Sequence, residues 1–312
     1  MDRFHNAIYG FALGDAIGVP YGFKSRYALK NLEIKMIGYG TYDQPMGTYS
    51  DDTALMMATL DTMNKGYSLK ELFGNLKSWY YKGNYAIENK IFDIGTTTKK
   101  FLTLPFNPNV VLKDIYSDNG SLMRMVPYVF YLMNEKKFEK RFKIISQSSH
   151  LTHPSKIADW GCFLYVEFFS YLLNGMNKII AYETLCKNYQ SSAPNVYSTI
   201  LSGKIHLLYE SKIKSTGYVI DTLSSVLWSF LKHDSYTDAL INAIKLGDNT
   251  DTIGALVGAL AGFYYGDIPQ DWLDNLRGKI QIEHLIIEFE NKFGQNQKEN
   301  NNECLSQTLF MI

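Results

Sequence analysis

The most informative stretch of this sequence is Gly247-Asp248-Asn249-Thr250-Asp251-Thr252, followed directly by Ile253-Gly254-Ala255-Leu256-Val257-Gly258-Ala259-Leu260-Ala261-Gly262. In its second part the glycines recur every four residues, which places them on one face of a helix. Small residues with this spacing let another helix approach closely, and in a bilayer they would indicate paired membrane spans. The apolar run is shorter than the roughly 20 residues that a span needs. It therefore predicts a tightly packed central helix, whose rigid N-terminus is a good platform for a functional site.

The polar part of this stretch places aspartates among other side-chain oxygens just before the helix begins. Ser50-Asp51-Asp52-Thr53 shows the same pattern near the other end of the chain. One such residue is enough to cap a helix, and capping is the structural alternative for both motifs. Crowded carboxylates repel one another, and a hard cation such as Mg²⁺, Mn²⁺ or Ca²⁺ removes that conflict. The two motifs predict a shared metal site if the fold brings them together.

Helical periodicity dominates the whole chain, and no alternation of strands and helices is found. No linker divides the sequence, and Leu102–Asn119, which contains two prolines, is expected to be a long loop. We therefore predict one all-α domain over residues 1–293, with a polar tail over residues 294–312 that is expected to be partly disordered. The predicted helices are Phe4–Asp15, Thr53–Asn64, Leu69–Tyr80, Leu122–Leu132, Phe138–Ser148, Lys156–Leu173, Ile179–Asn188, Gly217–Leu231, Tyr236–Leu246, Thr252–Tyr264 and Ile280–Lys292.

Composition excludes several classes of protein. Lys plus Arg and Asp plus Glu each number 31, so the net charge is zero and general binding to nucleic acid is not expected. The cysteines, Cys162, Cys186 and Cys304, form no disulfide framework or metal-type pair, which fits a reducing cytoplasm. The N-terminus lacks the apolar core of a signal peptide, and we predict a cytoplasmic protein without a membrane partner. The oligomeric state stays open, a monomer included.

Three further motifs carry polar groups that have both a structural and a functional interpretation, and a fourth, glycine-rich motif has only a structural one, close packing and a helix stop. Asn119-Gly120-Ser121, before Leu122-Met123-Arg124, is either a turn with a cap or an anion site at a helix start. The aspartate and hydroxyls of Asp93-Ile94-Gly95-Thr96-Thr97 and the single histidine of Thr152-His153-Pro154 are not specific alone. Gly14-Asp15-Ala16-Ile17-Gly18 lacks the spacing of a phosphate-binding loop.

Taken in order, these motifs resemble the ADP-ribosylglycohydrolase family, which includes the dinitrogenase-reductase-activating glycohydrolase. The resemblance extends from about residue 5 to residue 266. It implies a compact, orthogonal multi-helix bundle with two Mg²⁺ or Mn²⁺ ions in a central cleft. By motif position, the implied metal ligands are Ser50, Asp51 and Asp52 on one side and Asn249, Asp251 and Thr252 on the other.

The resemblance also implies an activity, which is hydrolysis of the N-glycosidic bond between ADP-ribose and an acceptor side chain, often arginine. The expected partners are ADP-ribosylated protein or ADP-ribose itself. Asp51 or Asp52 would manage protons, and Asp93 matches a position that holds the arginine guanidinium. The implied substrate-binding residues are Asn119, Gly120, Ser121, Met123, Arg124 and His153.

Two positions depart from the family pattern. Gly22 stands where many members have a glutamate, and Asn249 stands where an aspartate is usual. The leading hypothesis is a metal-dependent ADP-ribosyl hydrolase. A module that binds ADP-ribose without cleaving it and a structural protein with vestigial motifs are the alternatives.

Overall fold

The computed structural model describes residues 3–293, so the predicted tail over residues 294–312 lies outside the described residues. Within residues 3–293 the secondary structure is helical and contains no β-strand, and the predicted all-α class is confirmed. The α-helices are α1 (Arg3–Gly18), α2 (Arg26–Leu29), α3 (Asp51–Asn64), α4 (Leu69–Lys82), α5 (Thr96–Leu102), α6 (Val126–Tyr131), α7 (Phe138–His150), α8 (Lys156–Leu173), α9 (Lys178–Tyr189), α10 (Val219–Lys232), α11 (Tyr236–Lys245), α12 (Thr250–Tyr265), α13 (Gln270–Asn275) and α14 (279–293).

Helices α1 and α12 form the centre of the molecule, and their backbones touch. A Cβ atom built on Gly14 would lie 2.0 Å from the carbonyl oxygen of Gly254, and one built on Gly258 would lie 2.1 Å from that of Gly10. Only glycine permits this approach, because any side chain at these positions would overlap backbone atoms. The prediction of a tightly packed central helix is confirmed, and nearly every residue of α12 is buried.

The other helices surround this pair. Helices α10 and α11 pack against α12, while α8 packs against α6, α7 and α9. Helix α3 lies between α4 and a short 3-10 helix, Asn119–Arg124. The C-terminal end of α1 contacts the start of α12 at Gly18 and Asp251, and Asp15 of the same end is bonded to Ser50 and Thr53 at the start of α3, so the two acidic motifs lie side by side.

The prediction of one continuous helix over Leu122–Leu132 is wrong. The chain forms the 3-10 helix Asn119–Arg124 and then α6, which begins at Val126 with Pro127 in its first turn. Proline has no amide hydrogen and clashes with the preceding turn, so it starts a helix more readily than it continues one. Among the described helices, none combines the length and the hydropathy that a membrane crossing needs.

Candidate active site

The two acidic motifs meet in space. The hydroxyl of Thr252 donates a hydrogen bond of 3.1 Å to Oδ2 of Asp52, across 200 positions of the sequence. Ser50 caps α3, since its hydroxyl accepts from the amide of Asp52, so the capping interpretation is also correct for this residue. Asn249 stands at the cap position of α12 but makes no side-chain cap. Capping therefore explains only part of this polar cluster.

Asp15 is hydrogen-bonded to the acidic motif Ser50-Asp51-Asp52-Thr53, a role that the sequence did not indicate. Its carboxylate accepts hydrogen bonds from the amide of Ser50, from the amide of Thr53 at 2.9 Å and from the hydroxyl of Thr53 at 2.6 Å. The side chain is fully buried, so these bonds replace the water that the carboxylate lost. Asp15 thereby sets the position of the turn that presents Asp51 and Asp52.

Asp51, Asp52 and Asp251, which we call the acidic floor, are all almost completely buried. Burial raises the pKa of each of these carboxyl groups well above its ordinary value, and neighbouring carboxylates, Asp93 among them, raise it further. Two buried oxygens, Oδ1 of Asp52 and Oδ2 of Asp251, have no hydrogen-bond partner. Buried polar atoms are rarely left unpaired, and a cation is the partner that would satisfy both of these and relieve the repulsion.

The chemistry of these donors fits a hard cation. Carboxylate and hydroxyl oxygens from Asp51, Asp52, Asp251 and Thr252 are the ligands that Mg²⁺ and Mn²⁺ prefer. Within residues 3–293 no three acidic, histidine or cysteine side chains converge as a closed metal site. Any ion here would therefore take part of its coordination from hydroxyls, water or substrate.

The wall of the cleft on the α12 side is an amide pair. Asn119 donates from its side-chain nitrogen to Oδ1 of Asn249 and also to the hydroxyl of Thr222, at 3.0 Å from the latter. The oxygen of Asn249 that was predicted to bind metal is thus already engaged with Asn119. The same atom keeps a second lone pair, so the pairing leaves room for one further contact.

His153 lies against Gly120, on the same wall of the cleft as Asn119. Its Nε2 is 2.7 Å from Oδ1 of Asp118, and its Nδ1 is 2.8 Å from the hydroxyl of Thr152. Burial alone would raise the pKa of Asp118, but the hydrogen bond and charge of His153 outweigh it and lower the pKa. A Cβ atom at Gly120 would lie 2.8 Å from the His153 ring, so glycine is required for this close approach.

Two of the predicted substrate-binding side chains do not reach the cleft. Arg124 is fully buried and donates to the Ser148 hydroxyl at 3.0 Å and the Thr152 hydroxyl at 2.8 Å. The Ser121 hydroxyl accepts a bond from Ser149 in the same buried region. These side chains anchor the 3-10 helix to the end of α7. The cleft itself is lined by Phe23, Asp51, Asp93, Gly95, Thr98, Asp118, Asn119, Gly120, Met123, His153, Gly217, Asn249 and Thr252.

The mouth of the cleft is formed by coil. Phe23, Tyr42 and Phe92, which we call the aromatic rim, make edge or tilted ring contacts with Tyr42 in the middle. Asp93 follows Phe92, and both Phe23 and Asp93 adopt left-handed backbone conformations, with φ of 58° and 52°. Such conformations are strained for residues other than glycine and are often found at functional sites. The sequence motifs indicated Asp93 but no residue of the aromatic rim.

Comparison with known proteins agrees with this arrangement. The sequence profile described as ADP-ribosylglycohydrolase matches residues 1–299. The ADP-ribosylarginine hydrolase Tri1 of Pseudomonas putida (strain GB-1) is 29% identical over 297 residues, which cover 93% of this chain and 78% of that protein. The ADP-ribosyl-[dinitrogen reductase] glycohydrolase of Rhodospirillum rubrum is 24% identical over 293 residues, which cover 90% of this chain and 92% of that protein.

A solved structure described as an ADP-ribosylglycohydrolase-related protein complex superposes with a TM-score of 0.80 and 24% identity, covering 93% of this chain and 97% of its own. That likeness confirms the fold. The profile match spans nearly the whole chain and carries the assignment. The protein therefore belongs to the ADP-ribosylglycohydrolase family, as its motifs predicted, and is a hydrolase of that family.

Proposed function

We propose that this protein removes ADP-ribose from ADP-ribosylated arginine side chains of proteins, with two Mg²⁺ or Mn²⁺ ions as cofactors. The observation that carries the proposal is the junction of the two acidic motifs at Thr252 and Asp52, with buried, unpaired oxygens on Asp52 and Asp251. The curated relative from Pseudomonas putida, which is named as an ADP-ribosylarginine hydrolase, supports arginine as the acceptor. A cytoplasmic location is part of the proposal.

The reaction breaks a bond at C1 of ribose, where positive, oxocarbenium-like charge develops. Divalent ions held by Asp51, Asp52, Asp251 and Thr252 would orient the ribose hydroxyls and lower the pKa of a water molecule. Asp51 or Asp52, whichever keeps a carboxylate oxygen free of metal, accepts a proton from water.

The remaining cleft residues hold the two ends of the substrate. Gly120 and the Asn119–Asn249 pair lie where the diphosphate of ADP-ribose would be bound by backbone and amide N–H groups. His153 lines the same wall. At the mouth, the carboxylate of Asp93 provides the fork-like contact that a guanidinium favours.

The test is ADP-ribose release from proteins modified on arginine, with proteins modified on serine as a matched control. We expect release in Mg²⁺ or Mn²⁺ from the arginine-linked substrate and none in EDTA. Absence of release from every substrate would overturn the proposal. Release in EDTA would overturn the metal requirement, and release from serine alone would overturn the acceptor.

Binding without cleavage is the second candidate, and Gly22 is the observation that favours it. A glycine provides no carboxylate at a position where many family members have one. Calorimetry with ADP-ribose, run beside the release assay, separates the two functions. Binding with no turnover would favour the module, whereas many turnovers per protein molecule would exclude it.

A further inference from the structure

Tyr42 occupies the space that Gly22 leaves open. A Cβ atom built on Gly22 would lie 3.0 Å from Cε2 of the Tyr42 ring and 3.6 Å from its hydroxyl. Any side chain at position 22 would therefore start against the end of this ring. The two segments are also tied together, because the Thr41 hydroxyl donates to the carbonyl of Gly22 at 2.7 Å.

The Tyr42 hydroxyl is a buried donor without an acceptor. It makes no hydrogen bond, although it is screened from solvent. Burial and then the charges of Asp251, Asp93 and Asp51 raise the pKa of the phenol far above 10, so it stays protonated. Asp93 directly follows Phe92, whose ring contacts the Tyr42 ring, and its charge is among those that raise the pKa of the phenol. A phenol in this position can donate as soon as the carboxylate turns toward it.

Packing fixes the ring of Tyr42, whereas its hydroxyl has no hydrogen-bond partner. Its centroid lies 5.4 Å from that of Phe92, the residue before Asp93, and 6.2 Å from that of Phe23. The side-chain amide of Gln44 donates to the Tyr42 carbonyl at 2.9 Å. Ring packing thus fixes where the hydroxyl is, and Asp93 lines the cleft from a left-handed backbone conformation.

We propose that Tyr42 is a positioning residue for the acceptor side of the cleft: its ring takes the place of a side chain at position 22, and its hydroxyl donates a hydrogen bond to Asp93 when that carboxylate binds the guanidinium of the substrate. A guanidinium has donors only, so one carboxylate accepts from Tyr42 and from the substrate together. This assignment rests on the proposed function for the nature of the acceptor. It accounts for Gly22 as a residue that makes room for Tyr42.

The test compares Tyr42→Phe with wild type and with Tyr27→Phe, which removes the same hydroxyl from a side chain that is 90% exposed. Steady-state release from ADP-ribosyl-arginine gives KM and kcat, and product inhibition gives the affinity for ADP-ribose. For Tyr42→Phe we expect KM to rise about tenfold, as for loss of a hydrogen bond to a charged group, with kcat and the ADP-ribose affinity unchanged. Tyr27→Phe should match wild type in all three.

A melting temperature separates this role from a structural one. Because the Tyr42 hydroxyl has no partner in the free protein, Tyr42→Phe should leave the melting temperature unchanged or raise it. A lowered melting temperature with the same KM would overturn the proposal. An unchanged KM at an unchanged melting temperature would also overturn it.

If the protein does not hydrolyse ADP-ribosyl-arginine, the positioning role of Tyr42 can still be tested separately by binding. Calorimetry with intact ADP-ribosyl-arginine and with ADP-ribose then measures the acceptor contribution directly. Tighter binding of the arginine-linked compound, lost in Tyr42→Phe, supports the positioning role without hydrolysis. Equal binding of the two compounds by wild type overturns it.

A variant pair tests the competition for space. Gly22→Glu should weaken binding of ADP-ribosyl-arginine, because the new side chain displaces the Tyr42 ring. Gly22→Glu with Tyr42→Ala frees that space, and the double variant should then bind no worse than Tyr42→Ala alone. Additive losses in the double variant would contradict the shared space.

Discussion

The acidic floor and the aromatic rim belong to one cleft but are built in different ways. The floor stands on the starts of two long helices, which Asp15 and the glycine contact of α1 with α12 hold in place. The rim stands on coil, with left-handed backbone at Phe23 and Asp93. Helix packing therefore imposes the geometry of the floor, while the rim can vary without cost to the core. This division predicts that the floor determines whether the bond is cleaved and the rim determines which acceptor is bound.

The largest expected effect is loss of one carboxylate from the floor. Asp251→Asn keeps the shape but removes a charge from the buried cluster, and ADP-ribose release should fall by about a thousandfold or more. Asp248→Asn is the matched control, since Asp248 lies three positions away in a partly exposed, left-handed conformation that asparagine tolerates.

Both variants are measured by release assays and by the rise in melting temperature with Mn²⁺. The rise should vanish in Asp251→Asn and persist in Asp248→Asn, because only an ion that binds the native state stabilises it. Equal activity of the two variants would contradict the assignment of the floor.

The next largest effect is on the free energy of unfolding, at the contact between α1 and α12 that supports the acidic floor. Gly14→Ala places a methyl group 2.0 Å from the Gly254 carbonyl, which must separate the central helices and should lower the free energy of unfolding by about 3 kcal/mol or more. Gly74→Ala makes the same substitution at an exposed position of α4, where nothing lies within 4 Å, and should stabilise by about 0.5–1 kcal/mol. Urea unfolding of both variants measures the difference. If Gly14→Ala lowered the free energy of unfolding only slightly, helices α1 and α12 would have to be able to move apart at little cost.

The floor could be predicted from the sequence because it depends on local patterns. Aspartates before a helix start and glycines spaced four residues apart can be recognised in the sequence. The contact of Thr252 with Asp52 is the one expected if the two acidic motifs lie together. The role of Asp15 was not visible, since one acidic residue inside an apolar helix does not reveal which amides it will accept from.

The rim could not be predicted in the same way. Phe23, Tyr42 and Phe92 lie in segments without periodicity, and only tertiary contacts bring them together. Arg124 shows the opposite error, because an arginine next to a predicted anion site turned into the core to bind Ser148 and Thr152. Pro127 could have predicted that a new helix begins near this residue. The apolar residues on both sides of it instead suggested one continuous helix.

A smaller effect concerns pH. In metal-free protein, burial raises the pKa of Asp15 from 3.8 to about 6 in spite of its hydrogen bonds to Thr53 and Ser50. The folded protein then holds this proton more tightly than the unfolded chain, so ionisation of Asp15 lowers the free energy of unfolding as pH rises from about 4 to about 6. Asp15→Asn lacks this ionisation. Its stability deficit relative to wild type should therefore shrink over that window.

Urea unfolding in EDTA at several pH values measures this difference, which includes a change in the titration of Asp52, because the charge of Asp15 raises the pKa of that carboxyl group. A deficit that grows with pH would have the opposite sign and would mean that Asp15 is stabilised as a carboxylate. Repeating the series with Mn²⁺ shows whether an ion above Asp15 alters the trend.

The smallest expected effects are changes in stability and in substrate binding at Phe23, a residue of the aromatic rim. Phe23 is 61% exposed with φ of 58°, so its ring contributes little to the core while its backbone is strained. Phe23→Gly relieves that strain and should stabilise the protein by about 1 kcal/mol. Because the ring lines the cleft beside Asp93, the same variant should weaken binding of ADP-ribosyl-arginine about threefold, as for loss of an exposed cation–π contact. Phe23→Ala removes the ring without relieving the backbone, so it should show the weaker binding alone. Unchanged binding in both variants would move acceptor recognition away from Phe23 and leave it to Asp93 and Tyr42.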